Sequence, residues 1–537
     1  MPSGKASTAP DPKRNRVALQ AFVTAMGTLV TRVFGLLRET LLTAYFSRTV
    51  TDAWIVAFRI PNLFRRLFGE GSLAVSFVPV FVETIVQDPT GVRSRNLLNS
   101  FYTLFLLTLS VLTALGTLFP DQILAMVIDE KFNLVPGKLE LTRQMFQVMF
   151  CYVFLVCTYA FFMGVLNALG KFGLAALSPV FWNFSMIASI FVPQKWLQWE
   201  GQALAWGVVV GGVIQAGILI PLLAKKGYFP KLSTTLFSAD VNRVFKAMLP
   251  GLLGSGLLQV TTLINTRFAS SLAEGPVSYI YIADRLLEFP LSLISVSLGV
   301  ALLPTLSRLW AEKKNEEFNL LVGQNIRLNL YLGIAAGIGL FFLAEPIVRV
   351  LFERGKFAPE ETLKTAAVVR IFSTLAITTS CARVLVPSFY AIKNTGFPAL
   401  ASLVCLLVHL VAAPAMMGLW QMEGLNAASA LSSFLNILIL TIGYRRYFGN
   451  PGFKAILTTS LKTLIAGVGM AVILTQWRMI ASLVPEGFRP LHHFDVIVGM
   501  STSMVLGTCI FFILSAVLRI EEFQFIYRGI RRRILAV

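Results

Sequence analysis

The sequence predicts an all-α polytopic membrane protein, with about 14 transmembrane helices in two pseudo-symmetric six-helix lobes plus two extra C-terminal helices. Three observations carry that prediction: an apolar composition, apolar runs of bilayer length, and an internal repeat. Of 537 residues, 56% are hydrophobic and only 14% are charged, where a soluble chain carries roughly 25% charged residues. Mean hydropathy is +0.72. Runs such as 208–223, 334–343, 400–417 and 504–518 extend with their flanks to about 20 residues, enough for a hydrocarbon core of ~30 Å. So many runs exclude a single signal peptide.

Taken in order, the chain opens with a polar, basic segment, 1–17 (Lys5, Lys13, Arg14, Arg16), that has no cleavage pattern and reads as a cytoplasmic tail. Spans are then expected at 18–46, 52–83, 98–127, 140–168, 173–194 and 202–224. These make an N-lobe over 18–228. The hydrophilic stretch Lys225–Ala239 connects it to a C-lobe over 240–448, with spans at 241–272, 277–308, 326–352, 361–392, 397–417 and 424–447. A last pair, 455–480 and 495–518, lies within 455–518, and 519–537 is a basic cytoplasmic tail.

The loops agree with this order. Loops expected on the cytoplasmic side hold Arg93 and Arg95, Lys171, then Lys225, Lys226, Lys231, Arg243 and Lys246. Arg308, Lys313, Lys314, Arg327, Lys393, Arg445, Arg446 and Lys454 continue the series. The opposite loops carry fewer basic residues, Lys138 among them, and acids such as Asp121, Asp129, Glu200, Glu274, Glu360 and Glu486. That asymmetry predicts both termini inside. It also explains the net charge of +19 without a nucleic-acid partner.

The repeat pairs Ala57-Phe-Arg59 with Ala283-Asp-Arg285, and Ser72–Pro79 with Ser297–Pro304, in nearly the same register. Asp52 then faces Ser278. An even number of spans per repeat makes the repeats parallel. Cys151, Cys157, Cys381, Cys405 and Cys509 all fall in apolar runs without metal-ligand spacing, and each is expected to be a small buried hydrophobe.

Charges inside the spans are the informative residues. The first span holds Arg32, Arg38 and Glu39. The second holds Asp52, Arg59, Arg65, Arg66, Glu70 and Glu83. The eighth holds Asp284, Arg285 and Glu288. A charge at the bilayer centre costs ~2.5–3.5 kcal/mol on insertion scales, so these side chains should line a wet cavity or pair with one another. Arg32 and Arg38 lie about 120° apart on a regular helix; Arg285 and Glu288 share a face. Pro61, Pro290, Gly69 and Gly71 are expected to interrupt these helices, as in transporter substrate sites. Arg48, Arg66 and Arg308 read as interfacial, and Asn183, Gln259, Asn265 and Asn436 as interhelical hydrogen-bonding groups. His409, alone on an apolar helix, reads as core. An arginine surplus wants an anion, and guanidinium binds phosphate oxygens bidentately. No Walker loop, nucleophile elbow or zinc pattern is present, so a transporter without an ATPase motif, cofactor or metal is expected.

Two stretches, Thr31–Glu39 (TRVFGLLRE) and Thr51–Gly71 (TDAWIVAFRIPNLFRRLFGEG), closely resemble the MurJ (MviN) lipid II flippases. So do Val277–Pro290 (VSYIYIADRLLEFP) and Phe352–Phe357 (FERGKF). The resemblance runs to about residue 450, with the last two helices alike only in kind. It implies the multidrug/oligosaccharidyl-lipid/polysaccharide exporter fold, two six-helix lobes forming a V about a cavity. The two extra helices make a lipid-tail groove that leads to the cavity. The implied partner is lipid II, in a bilayer of membrane lipids, in the bacterial inner membrane, and a monomer is expected. Arg32, Arg38 and Arg285 correspond to arginines for the diphosphate. Asp52, Arg65, Ser278, Glu288, Glu39 and Asp284 correspond to cavity or gate positions. The acids with which some relatives hold sodium have no counterpart within 245–272 or 397–417. The rival readings are an exporter of another lipid-linked oligosaccharide or of drugs, and a membrane scaffold or glycosyltransferase. A cationic cavity disfavours drugs, and no loop is long enough to house catalysis.

Overall fold

In a computed structural model, residues 12–272, 274–485 and 493–534 are described, and among them every regular element is helical. Nine helical stretches among these residues have the length and composition to cross a membrane. The chain divides into two compact units, Met1–Leu263 and Ile264–Val537.

The first unit opens with α1 (Pro12–Tyr45) and α2 (Arg48–Phe64). A π-helical turn follows at Arg65–Ser72 and leads into α3 (Leu73–Gln87). The expected interruption of the second span is thus real. It begins four residues past Pro61 and contains the positions of Gly69 and Gly71; the side chain of Glu70 lies outside the described residues. Asp88 ties the next turn, accepting from the backbone N–H of Thr90 (3.0 Å) and of Arg93 (2.8 Å). The Thr90 hydroxyl bond, with these amides, holds the Asp88 carboxyl below its usual range.

Next come α4 (Val92–Leu118), α5 (Pro120–Val127), α6 (Lys138–Phe150), α7 (Tyr152–Ala168) and α8 (Gly173–Ile190). The unit continues with α9 (Gln202–Gly217), α10 (Ile220–Lys225) and most of α11 (Ala239–Ser270). α8 packs between α1 and α9, and α6 packs on α2. The α8–α9 contact depends on missing side chains. A Cβ on Gly207 would lie 2.5 Å from Ser189 Oγ, and one on Gly211 would lie 2.7 Å from Trp182 Cδ1. This is the small-residue spacing that lets membrane helices touch through their backbones. Phe77, Phe101, Phe105 and Phe161 pack as one aromatic core, with ring centroids 4.9–6.2 Å apart.

The second unit contains α12 (Pro276–Ala311), α13 (Asn315–Phe342), α14 (Ala344–Phe352), α15 (Pro359–Ser373) and α16 (Leu375–Ala391). α12 does not break at Pro290, contrary to expectation; 36 residues stay helical through Pro290 and Pro304. A proline removes one N–H and crowds one carbonyl, and a buried transmembrane helix accommodates this through its neighbours. Arg383 of α16 donates to the carbonyl of Leu291, the residue after Pro290.

α17 (Gly396–Phe448) is two arms joined at Trp420 and Gln421, whose backbone is non-helical (Gln421 φ 47°, ψ −120°). A Cβ on Gly424 would sit 2.1 Å from the Met416 carbonyl oxygen, and one on Gly443 would sit 2.2 Å from the Phe397 ring. Ser432 Oγ donates to the Cys405 carbonyl at 2.9 Å. Only antiparallel arms bring those pairs together. The fold ends with α18 (Phe453–Leu474), α19 (Trp477–Ser482), α20 (Phe494–Val517) and α21 (Glu521–Ile534). α18 packs on α13 and α20. Of the cysteines, Cys157, Cys381 and Cys405 are buried, but Cys151 and Cys509 are exposed. The burial expected for those two is corrected: Cys151 lies at the junction of α6 and α7 and Cys509 on the outer face of α20, and neither is covered by a neighbouring helix.

Candidate functional site

Helix α1 carries Arg32 and Arg38 in different surroundings, as their spacing predicts. Arg32 is half-buried. Arg38 is 5% exposed and sits in a closed box. Its guanidinium pairs with Glu39 and donates to Asn183 Oδ1 of α8 at 3.1 Å. It also lies 4.7 Å from the centre of the Trp182 ring and 5.8 Å from that of Trp54. Phe58 stacks on Trp54 and on Trp182, which extends the aromatic wall. Cation–π contacts gain strength when desolvated, reaching ~2 kcal/mol. Asn183 also donates to the Thr31 carbonyl at 3.4 Å. It therefore joins α8 to α1, as expected.

Asp52 is buried, and Lys138 Nζ reaches its Oδ2 at 2.8 Å. The expectation that Lys138 is a loop residue is corrected, since it opens α6 and is itself 3% exposed. Its ammonium also lies over Phe132, 4.5 Å from the ring centre. α12 packs on α15 as α2 packs on α6, and the position equivalent to Asp52 is Ser278, fully buried. Arg65 is half-buried where the π-helical turn begins, its Nε donating to Asn62 Oδ1 at 2.8 Å. Wide turns of this kind recur at functional sites. Glu83 belongs elsewhere: Arg243 of α11 binds it at 2.7 Å at the end of α3.

In the second unit, Arg285 and Glu288 meet on one face of α12 at 2.9 Å, as their spacing predicts. Arg285 Nη2 donates to the Tyr281 hydroxyl at 3.2 Å, and the guanidinium lies 4.9 Å from the centre of that ring. Arg285 and Glu288 keep 25% and 32% of their side-chain surface exposed. Asp284 is half-buried beside them. Arg285 is thus positioned yet accessible, and Arg38 is positioned and covered. His409 is core, as expected, but has a polar partner that the sequence did not indicate, Asn265 Oδ1 at 2.6 Å. Arg48 donates to the Thr43 carbonyl at 2.9 Å, closing the end of α1. Asn436 Oδ1 is buried with no hydrogen-bond partner among the described residues, contrary to its expected bonding role.

Reasoning from sequence did not find Lys138, Trp54, Trp182 or Tyr281 as members of these clusters. Tyr281 was signalled, four residues before Arg285 on one helix face. The other three reach their partners only through tertiary packing. No group of three or more potential metal ligands occurs among the described residues.

Bilayer-length helices that hold arginines among aromatic rings and carboxylates in their interior define a polytopic membrane transporter. The chain belongs to the MurJ lipid II flippase family, whose model matches residues 42–493. The match runs past residue 450, where the sequence resemblance was expected to end. The chain is 46% identical over 516 residues to a probable lipid II flippase MurJ of Bdellovibrio bacteriovorus, covering 96% of this chain and 97% of that one. It is 32% identical over 467 residues to the lipid II flippase MurJ of Burkholderia cenocepacia, covering 85% and 88% of the two chains. A solved lipid II flippase MurJ in an inward closed conformation has the same fold, with a TM-score of 0.75, 22% identity and coverage of 92% and 98%. An inward-facing multidrug resistance MATE family transporter of the MOP superfamily is a more distant fold neighbour. Its TM-score is 0.66 at 13% identity, and 82% and 99% of the two chains are covered.

Proposed function

We propose that this chain is a flippase that translocates lipid II, the undecaprenyl-diphosphate-linked precursor of peptidoglycan, from the inner to the outer leaflet of the cytoplasmic membrane. Arg285 carries the reading. It is a cation inside a bilayer-length helix, oriented by Tyr281 and Glu288 and still partly open. An arginine kept in that state is primed to exchange a carboxylate for a phosphate, which accepts the same planar fork. Arg285 and Arg32 bind the diphosphate, and Arg38 joins them once its box of Glu39, Asn183 and Trp182 opens. Asp52, Arg65, Ser278, Glu288, Glu39 and Asp284 shape the cavity or gate. When phosphate takes Arg285, Glu288 is released, and re-pairing resets the site.

The finer architecture belongs to the same proposal. Fourteen spans, ~20 residues each, form two six-helix lobes, 18–228 and 240–448, and 455–518 accommodates the prenyl tail. Both termini, 1–17 and 519–537, are cytoplasmic, and the protein works as a monomer by alternating access. The membrane potential acts on the arginines at ~2.3 kcal/mol per charge per 100 mV, and no ATP hydrolysis is involved. The test is flipping of lipid II in vesicles containing purified protein. Arg285→Ala and Arg32→Ala are expected to abolish flipping with the thermal midpoint unchanged. Wild-type flipping by either variant would refute the diphosphate role. Accumulation of a different lipid-linked oligosaccharide on depletion would favour that rival substrate.

A further inference from the structure

A second cationic cluster lies outside the residues just described, where α14, α15 and α19 meet. Glu345, in the first turn of α14, has a side chain only 7% exposed. Arg349 donates to its Oε1 at 3.1 Å and Arg478 to its Oε2 at 2.6 Å, while Arg370 stands 3.9 Å from Oε2. Arg349 also faces Glu353 Oε2 at 3.5 Å, and His493 Nε2 lies 3.5 Å from the other oxygen of that carboxylate. Three arginines therefore share two carboxylates, and positive charge is left over. A guanidinium has five N–H donors, so one carboxylate oxygen does not saturate Arg478. The Arg478 and Arg370 side chains are 68% and 42% exposed, so the excess charge faces outward.

The neighbouring helix shows what this charge faces. α18 has 22 residues, about 33 Å at 1.5 Å per residue, which matches the hydrocarbon thickness. Arg478 follows just past its end, at the depth of a headgroup layer. Trp477, 5.3 Å from the Arg478 guanidinium, is buried in the core of the unit and backs that side chain from the protein side. Leu457, Leu461, Ile465, Val468 and Val472 are all exposed and recur every three or four residues, forming one apolar stripe along α18. A hydrocarbon stripe that ends in two accessible guanidiniums complements an amphiphile with an anionic head.

We propose that Arg370 and Arg478, held on Glu345, bind the phosphate of an anionic glycerophospholipid whose acyl chains lie along the exposed stripe of α18. The apolar stripe selects a lipid over a free anion. The planar fork of arginine selects a phosphate. The bound phosphate neutralises the excess charge and fastens α19 to α14 and α15. This rests on the membrane-spanning reading; the prenyl tail proposed for 455–518 runs along the same helices, so the site is defined by its headgroup contacts at Arg370 and Arg478, which are separate from Arg32, Arg38 and Arg285.

The test is native mass spectrometry of the full chain released from detergent. Phosphatidylglycerol, phosphatidylcholine and inorganic phosphate are offered separately. The wild type is expected to retain phosphatidylglycerol in preference to phosphatidylcholine. The double variant Arg370→Gln/Arg478→Gln is expected to lose about tenfold of that retention, with phosphatidylcholine unaffected. Equal retention of phosphatidylglycerol by the double variant, or no preference in the wild type, overturns the site. Retention of inorganic phosphate as strong as that of phosphatidylglycerol overturns the lipid as occupant. Should the double variant unfold, Arg478→Lys keeps a cation on Glu345 without the fork. It is expected to fold and to retain less phosphatidylglycerol, and full retention overturns the bidentate headgroup contact. Flipping by Arg285 variants is measured separately, so either reading can fail alone.

Discussion

At the scale of single residues, burial separates charges that hold the fold from charges that stay open to exchange. Asp52 and Lys138 are at opposite extremes of sequence signal: the first lies in a recognisable motif, the second in what reads as a loop. The structure joins them at 2.8 Å with almost no exposed surface. Removing one member of a buried ion pair costs about 3–5 kcal/mol, whereas replacing both by apolar groups is often neutral. Lys138→Met is therefore expected to lower the thermal midpoint strongly, and Lys138→Met/Asp52→Leu to recover most of the loss. Thermal unfolding in detergent measures both. Lipid II flipping by the recovered double variant then separates a structural Asp52 from a gating one, because only a gate residue would leave a folded but inactive protein.

At the scale of elements, one glycine on α9 positions an aromatic ring on α8, and that ring faces an arginine on α1. Trp182 Nε1 donates to the Val208 carbonyl at 3.3 Å, and its ring fills the space that a side chain on Gly211 would need. Gly211→Ala is expected to displace the indole, because a rigid ring cannot fold away as a flexible chain can. Overpacking of this kind costs about 1–3 kcal/mol. A lower thermal midpoint together with a shifted tryptophan emission would report the displacement. Gly217, where a Cβ meets nothing within 4 Å, is the control, and Gly217→Ala is expected to leave both readouts unchanged.

The elements also show where sequence is legible. Apolar runs located most helices to within several residues, but α13 begins eleven residues before the expected 326 and α4 ends nine before the expected 127; the α17 hairpin was readable as spans 397–417 and 424–447, although one helical stretch crosses it. The π-helical turn was signalled by its glycines. The unbroken course of α12 through Pro290 was not, because a proline's effect depends on the neighbours that re-satisfy the backbone. The pairing of Arg285 with Glu288 was readable because it is local. The box around Arg38 was not, since Asn183 and Trp182 lie more than a hundred residues away in sequence.

For the whole molecule, the remaining expectation is orientation, and the charge distribution bears on it directly. Arg327 pairs with Glu521 at 3.0 Å and with Glu522 at 3.1 Å, which ties the start of α21 to the N-terminal half of α13. The side of the membrane toward which the N-terminal half of α13 runs also holds the C-terminal helix. Just before α13 stand Arg308, in the last turn of α12, and Lys313 and Lys314 in the connecting loop, and α21 adds Arg528 and Arg531. Basic residues close to span ends are retained on the cytoplasmic side, so both segments are expected inside. A C-terminal green fluorescent protein fusion is expected to fluoresce, and a C-terminal alkaline phosphatase fusion to be inactive. The reverse pattern would invert the chain, because α21 cannot change sides while Arg327 holds it. It would also place Arg370 and Arg478 in the inner leaflet, where phosphatidylglycerol could still bind, so the lipid site would survive an inverted topology.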